Sequence, residues 1–222
     1  MLRLQIWWLL FQYYDLKRRI SGCDEKVWYF AYGANLDEEV LKLRGIEWDD
    51  VQTYHLRGYE ISFDHPSPIY GVGYCTIDIN ISESVYGRLW RIRKYDLSFL
   101  DYDELAVIFN RYRRVKHVTE DGKVIYFYTS LVKKSNLLPS PQYLAMLKHG
   151  IAQAGDFPAY YVNKINRQKC CSSNIKSIDS SYFINNIPSY PFGIRSLLFV
   201  YEKLCIRMLQ KIEKIRISSW FS

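Results

Sequence analysis

Val27, Trp28, Tyr29 and Phe30 are an unbroken β-branched and aromatic run, the composition of a buried strand. The run stops at Tyr32-Gly33-Ala34-Asn35, where small, turn-prone residues predict a tight turn. Asp37 to Leu43 then reads as a short helix with acidic residues in its first turn, where the helix dipole favours them. Three stretches alternate apolar and polar positions as half-buried strands do: His55–Phe63, Gly71–Ile79 and Val85–Ile92. From Lys94 to Leu105 the period changes. Leu97, Leu100 and Glu104 fall at i, i+3 and i+7, one face of a helix. Arg113–Val118 and Lys123–Leu131 alternate again around Glu120-Asp121-Gly122, which predicts a β-hairpin. Leu138 to Gln142 breaks that pattern, and a helix is expected over Tyr143 to Gly155, with the glycine as its stop.

These elements predict an α+β domain, a small mixed and mainly antiparallel β-barrel with short helices, over residues 27–166. Residues 1–26 form an N-terminal extension and residues 167–222 a linker with a C-terminal extension. Ile194 to Ile217 carries Leu197, Leu198, Tyr201, Leu204, Cys205 and Met208 at helical spacing among Lys and Arg, a basic amphipathic helix. Ile6 to Phe11 is apolar but far shorter than the roughly 20 residues of a membrane span. No signal-peptide cleavage pattern follows it, so it is expected to be an arm of the body, with a membrane-surface role as the alternative.

Charge sharpens this division. The net charge is +7. Residues 1–163 hold 20 Lys/Arg and 20 Asp/Glu, whereas residues 164–222 hold 10 and 3, and 10 minus 3 supplies the whole excess. A neutral body is not expected to read nucleic acid. The basic tail either folds its apolar stripe onto the body, the favoured expectation, or docks on an anionic surface. The cysteines are Cys23, Cys75, Cys170, Cys171 and Cys205. Their odd number and the lack of any C-x-x-C pair point to reduced thiols and a cytoplasmic protein, with no metal or other cofactor expected.

Four segments together carry chemistry: Phe30-Ala31-Tyr32-Gly33-Ala34-Asn35-Leu36, Tyr86-Gly87-Arg88-Leu89-Trp90, Leu100-Asp101-Tyr102-Asp103-Glu104 followed by Tyr112, and Pro139-Ser140-Pro141-Gln142-Tyr143. Singly each is weak, because a turn after a strand or an acidic helix face is usually structural. Their order and spacing resemble the gamma-glutamylcyclotransferase family, over about residues 27–166. Ala34 stands where the family usually has Ser, and Leu105 where it often has Gly.

The resemblance implies an intramolecular acyl transfer on a small gamma-glutamyl compound. The substrate's own α-amine attacks its side-chain carbonyl, releasing 5-oxoproline and a free amine or amino acid. Such chemistry needs a base for the amine proton and donors for the developing oxyanion. It requires no metal, cofactor or protein nucleophile. The resemblance implies Glu104 as the base, pointing inward with Leu97 and Leu100, in apolar surroundings that would raise its pKa. Asp101 and Asp103 are the rival carboxylates. It implies substrate contacts from Tyr32, Gly33, Ala34, Asn35 and Leu36, whose turn would offer backbone N–H groups. Tyr112 and Tyr143 would line the pocket and offer hydroxyls, and residues 64–74 would form the walls that select the leaving group. A non-catalytic binding protein of the same fold is the alternative function. A homodimer is the partner arrangement that the aromatic-rich surface allows.

Overall fold

A computed structural model describes residues 25–66, 72–104 and 111–171. Among the described residues the strands are β1 (Lys26–Ala31), β2 (Trp48–Pro66), β3 (Gly73–Arg93), β4 (Tyr112–Val118) and β5 (Val124–Ser130). The helices are α1 (Glu38–Leu43), α2 (Lys94–Asp103), α3 (Pro141–Ala154) and α4 (Ala159–Asn166), and a single 3-10 turn spans Ala34–Leu36. The expected N-terminal arm and basic C-terminal helix lie outside the described residues. Among the described residues no helix is long and apolar enough to cross a membrane.

The strands form one sheet in the order β2-β3-β1-β5-β4. All neighbours are antiparallel except β1 and β5, which run parallel with Trp28 opposite Ile125 and Tyr29 opposite Tyr126. The mainly antiparallel α+β class is as expected from the sequence, but the sheet is open, with β2 and β4 at its two edges. Helices cover both faces, so the sheet buries its apolar surface without curling onto itself.

The central strand shows how this works. Along β1, Val27, Tyr29 and Ala31 point to a core shared with Leu41 of α1, Leu97 and Leu100 of α2, and Trp90 and Ile92 of β3. Phe30 points to the opposite core, made with Phe127, Leu89, Tyr143 and Leu147 of α3, and Tyr161 of α4. A strand buried on both faces reads as a continuous apolar run, which is why residues 27–30 show no alternation. Fully burying a ring such as Phe30, at 0% exposure, stabilises by about 1.5–3 kcal/mol.

The two strands expected at 71–79 and 85–92 are one long strand from Gly73, β3, with residue 71 outside the described residues. Its pairing with β2 slips between them: Arg57 lies opposite Ser84, but Tyr59 lies opposite Ile79. Residues 80–83 are therefore a bulge opposite Gly58, which adopts φ 77°. The polar interruption in the sequence marks this bulge, not a chain reversal. Gly87, within the Tyr86–Trp90 segment, sits beneath β1. A Cβ there would stand 2.3 Å from the Ala31 carbonyl oxygen and 2.5 Å from the Phe30 ring.

The remaining helices start and stop as their sequences dictate. Asp37 caps α1, its side chain accepting from the Glu39 N–H at 2.9 Å. Ser140 caps α3 by accepting from the Tyr143 N–H at 3.1 Å, with Pro141 in the first turn and Gly155 (φ 77°) at its end. The hairpin turn of β4 and β5 has Gly122 at φ 81°. No periodicity along the chain predicts α4. Only its inward Tyr161 and Ile165 carry the pattern, too short a periodicity to stand out.

Candidate active site

Parallel pairing brings the C-terminal ends of β1 and β5 together. There the chain leaves β1 through Tyr32 and Gly33, and the Tyr32 hydroxyl donates to the Tyr128 carbonyl at 2.6 Å. Tyr112 at the start of β4 pairs with Ser130 at the end of β5, so β4 begins at the same rim. The first half of β3 crosses this rim, since the Ser130 N–H donates to Thr76 Oγ1 at 2.9 Å.

The turn after β1 is a 3-10 turn closed by Leu36 N–H to the Gly33 carbonyl (2.9 Å) and Asp37 N–H to the Ala34 carbonyl (3.1 Å). The N–H groups of Ala34 and Asn35 precede the first of these bonds and have no partner within the turn. The rest of the turn is braced. Trp90 Nε1 donates to the Asn35 carbonyl at 3.1 Å, and Arg88 Nη1 to the Leu36 carbonyl at 3.3 Å while its Nη2 pairs with Glu38 at 2.9 Å. The Asn35 side chain turns inward, its Nδ2 donating to the Tyr29 hydroxyl at 2.7 Å and to Glu104 Oε1 at 3.3 Å. Its Oδ1 is buried without a hydrogen-bond partner among the described residues.

Glu104 follows α2, its N–H still bonded to the Leu100 carbonyl at 2.8 Å. Its carboxylate reaches the turn from the same helix side as the buried Leu97 and Leu100, as the i, i+3, i+7 spacing predicts. Its surroundings are less apolar than expected. Arg44, at the C-terminal cap of α1, places Nη1 3.2 Å from Oε1, so the carboxylate accepts from a guanidinium as well as from Asn35. The rival Asp101 is committed elsewhere: it accepts from the Tyr128 hydroxyl at 2.8 Å and from Arg114 Nη1 at 2.8 Å. Burial raises its pKa, and those two donors oppose the rise. The side chain of Asp103 lies outside what is described.

Three tyrosines and a cysteine close the group. A Cβ on Gly33 would lie 3.0 Å from the Tyr143 hydroxyl and 3.4 Å from the Cys75 Cβ, so the turn faces both. The Cys75 N–H donates to the Tyr143 hydroxyl at 3.1 Å, and the Tyr112 hydroxyl donates to the Cys75 carbonyl at 3.0 Å. Burial holds Tyr32, Tyr112 and Tyr143 well above the usual phenol range, with Cys75 adding to the rise for Tyr32 and Tyr143. All three are thus neutral hydroxyls. Each has one proton and two acceptor lone pairs, and the protons of Tyr32 and Tyr112 are given to backbone carbonyls. Burial pushes the Cys75 thiol up to about 12, so it is no thiolate at neutral pH and not suited to nucleophilic attack.

The structure therefore brings Tyr32, Gly33, Asn35, Glu104, Tyr112 and Tyr143 to one rim. Leu36 is fully buried in the core behind the turn, 1% exposed, and Ala34 is half-buried. Arg44, Cys75 and His65 were not singled out in the sequence. Arg44 reads there only as a basic residue at a helix end, and Cys75 as one apolar position in an alternating strand. Of the segment 64–74 expected to form the walls, residues 67–71 lie outside the described residues; Tyr74 stacks on Tyr143 with centroids 4.8 Å apart, and His65 on Tyr112 at 4.0 Å.

His65 is buried at 1% exposure in a network that fixes its tautomer. Ser130 Oγ donates to the Val132 carbonyl and accepts from the Val132 N–H, so its 2.6 Å contact with His65 Nδ1 takes the ring's proton. Nε2 is left to accept from Arg111 Nη2 at 3.2 Å. Burial, and then the Arg111 charge, hold the imidazole pKa well below its ordinary value of 6.5. The unfolded chain therefore binds a proton below about pH 6.5 that the folded chain refuses, and stability falls as pH drops through that range. Melting temperatures taken from pH 8 to pH 5 are expected to decline more steeply for wild type than for His65→Gln. Parallel curves would show that His65 does not carry this acid sensitivity.

No family model matches the chain. It is 30% identical over 149 residues to the gamma-glutamylcyclotransferase of Bos taurus, covering 64% of this chain and 78% of that one. It is 30% identical over 157 residues to the Homo sapiens gamma-glutamylcyclotransferase, covering 66% and 81%. The fold is similar to a solved gamma-glutamyl cyclotransferase with TM-score 0.58 and 27% identity, over 70% of this chain and 95% of that chain. With similarity of sequence and of fold over the same body, and with that body's turn, acid and tyrosines gathered at one rim, the chain belongs to the gamma-glutamylcyclotransferase family.

Proposed function

We propose that this protein cyclises a small gamma-glutamyl compound, releasing 5-oxoproline and a free amine or amino acid, with Glu104 as general base and acid. The observation that carries the reading is the direct contact between turn and carboxylate: Asn35 Nδ2 lies 3.3 Å from Glu104 Oε1. A substrate seated on the turn is thereby within reach of the base.

The steps balance without any added group. The substrate's α-ammonium gives a proton to Glu104, and the freed amine nitrogen attacks the γ-carbonyl carbon. A carbon–nitrogen bond closes the five-membered ring, and the carbonyl oxygen becomes an oxyanion. The N–H groups of Ala34 and Asn35, unpartnered within the turn, are suited to receive either that oxyanion or the substrate carboxylate. The original carbon–nitrogen bond breaks as the oxyanion collapses and Glu104 returns its proton to the leaving nitrogen; Glu104, ionised again, then relays the second proton of the cationic ring nitrogen to the departing amine, which leaves as an ammonium. Asn35 Oδ1, a buried acceptor beside Glu104, is suited to the ammonium before it is deprotonated. The tyrosine and histidine rings around the turn exclude water, and holding amine against carbonyl exploits proximity, worth up to roughly 7–11 kcal/mol in well-oriented cases. The replacement of Ser by Ala at position 34 leaves backbone donors intact.

The test is 5-oxoproline release from a panel of gamma-glutamyl dipeptides, gamma-glutamylamines and glutathione. Turnover of at least one compound is expected, and the compound turned over names the leaving group. A folded protein that turns over none of them would favour a ligand-binding role for the same rim.

A further inference from the structure

We infer that Arg44 is a positioning residue for the reaction: its guanidinium orients the Glu104 carboxylate toward the substrate amine. The inference rests on the assignment of Glu104 as the base. Its own support is the way Arg44 is held. The residue occupies the C-terminal cap of α1, where the chain turns through Gly45 at φ 65°. Gly45 N–H bonds to the Lys42 carbonyl at 2.8 Å and Ile46 N–H to the Leu41 carbonyl at 3.0 Å, the double closure of a Schellman cap. Ile46 and Leu41 are both fully buried, which locks that closure to the core. The Arg44 side chain thus springs from a rigid corner.

From that corner it meets Glu104 where Asn35 does. Arg44 Nη1 at 3.2 Å and Asn35 Nδ2 at 3.3 Å both donate to Oε1, from two different elements. Two converging donors fix the plane of a carboxylate far better than one. The pair is mostly shielded, with side-chain exposures of 15% for Arg44 and 20% for Glu104, so solvent screens it only partly. Tyr32 at the end of β1, Tyr112 on β4 and Tyr128 on β5 also face Glu104. All three hydroxyls stay neutral at working pH, because burial raises each of them. Among these neighbours Arg44 brings the positive charge, and a carboxylate base must be ionised to accept a proton.

The sign follows directly. Activity is lost as pH falls and the base becomes protonated; removing a neighbouring cation makes protonation easier, so the acid limb moves to higher pH. In Arg44→Gln the acid limb of kcat/KM is expected to move up by about one pH unit. At pH 7.5 kcat is expected to drop about 10- to 100-fold with KM little changed, the cost of a mis-set reacting group. Arg44→Lys keeps the charge and is expected to hold the acid limb near its wild-type position. Glu104→Gln runs beside them. If Glu104→Gln is inactive and Arg44→Gln keeps the wild-type limb and kcat, the role of Arg44 is overturned while Glu104 stands. A rise in KM alone would instead place Arg44 on the substrate and also overturn it. If Glu104→Gln remains active, the base assignment itself fails.

Discussion

Glu104→Gln is expected to lower kcat/KM for the gamma-glutamyl substrate by about 10²–10⁴-fold, the usual contribution of a positioned base. Glutamine keeps the size of the side chain and its acceptor oxygen, so the hydrogen bond from Asn35 can persist. What it cannot do is take the proton of the substrate ammonium. The loss is therefore expected in kcat, with substrate affinity nearly unchanged. The substitution also leaves the Arg44 guanidinium, 15% exposed, without its carboxylate. Some loss of stability follows from that, so the assay belongs well below the melting point of both forms. Asp101→Asn is the matched control, since Asp101 is engaged with Tyr128 and Arg114 instead of the turn. Activity retained in the Glu104 variant and lost in the Asp101 variant would reverse the assignment.

Gly150→Val is expected to destabilise the fold by about 3 kcal/mol and to disable the site at the same time. Gly150 lies on the face of α3 that packs against the turn after β1. A Cβ there would sit 2.7 Å from the Asp37 backbone nitrogen, 2.7 Å from the Leu36 Cβ and 2.8 Å from the Leu36 carbonyl carbon. Two of those three atoms are backbone, which cannot rotate aside. Glycine inside a helix costs up to about 1 kcal/mol of propensity, and replacing it recovers only part of that. The steric term is larger, so the net sign is a loss. For a chain of this size each kcal/mol shifts the melting temperature by about 2–4 °C, giving a fall of about 6–12 °C. Because the atoms that must move belong to the turn carrying Ala34, Asn35 and Leu36, 5-oxoproline release by the remaining folded fraction is expected to fall too. A variant with wild-type melting and activity would mean that α3 can shift without moving the turn.

Much of this was legible along the chain because it rests on local chemistry. The apolar run 27–30 and the small residues after it are dictated by strand and turn preferences. Asp37, Ser140-Pro141 and Gly155 mark helix ends because caps are built from the residues next to them. The i, i+3, i+7 placement of Leu97, Leu100 and Glu104 puts the acid on the buried side of its helix by geometry alone. The segments at Phe30–Leu36, Tyr86–Trp90, Leu100–Glu104 and Pro139–Tyr143 were likewise enough to point to the family.

The remainder depends on residues far apart in sequence. That β1 and β5 run parallel, and so bring Tyr32 against Tyr128, joins residues 96 positions apart that no local pattern links. That 73–79 and 85–92 are one bulged strand is decided by pairing with β2. Glu104 meets Arg44, 60 positions away, and no pattern in either segment names the other. Cys75 and His65 enter the site through backbone hydrogen bonds and ring stacking, which leave no mark on residue spacing. Local preference sets which elements form and which side chains face inward; long-range packing sets which inward groups meet, and with them the charge and donors around the acid.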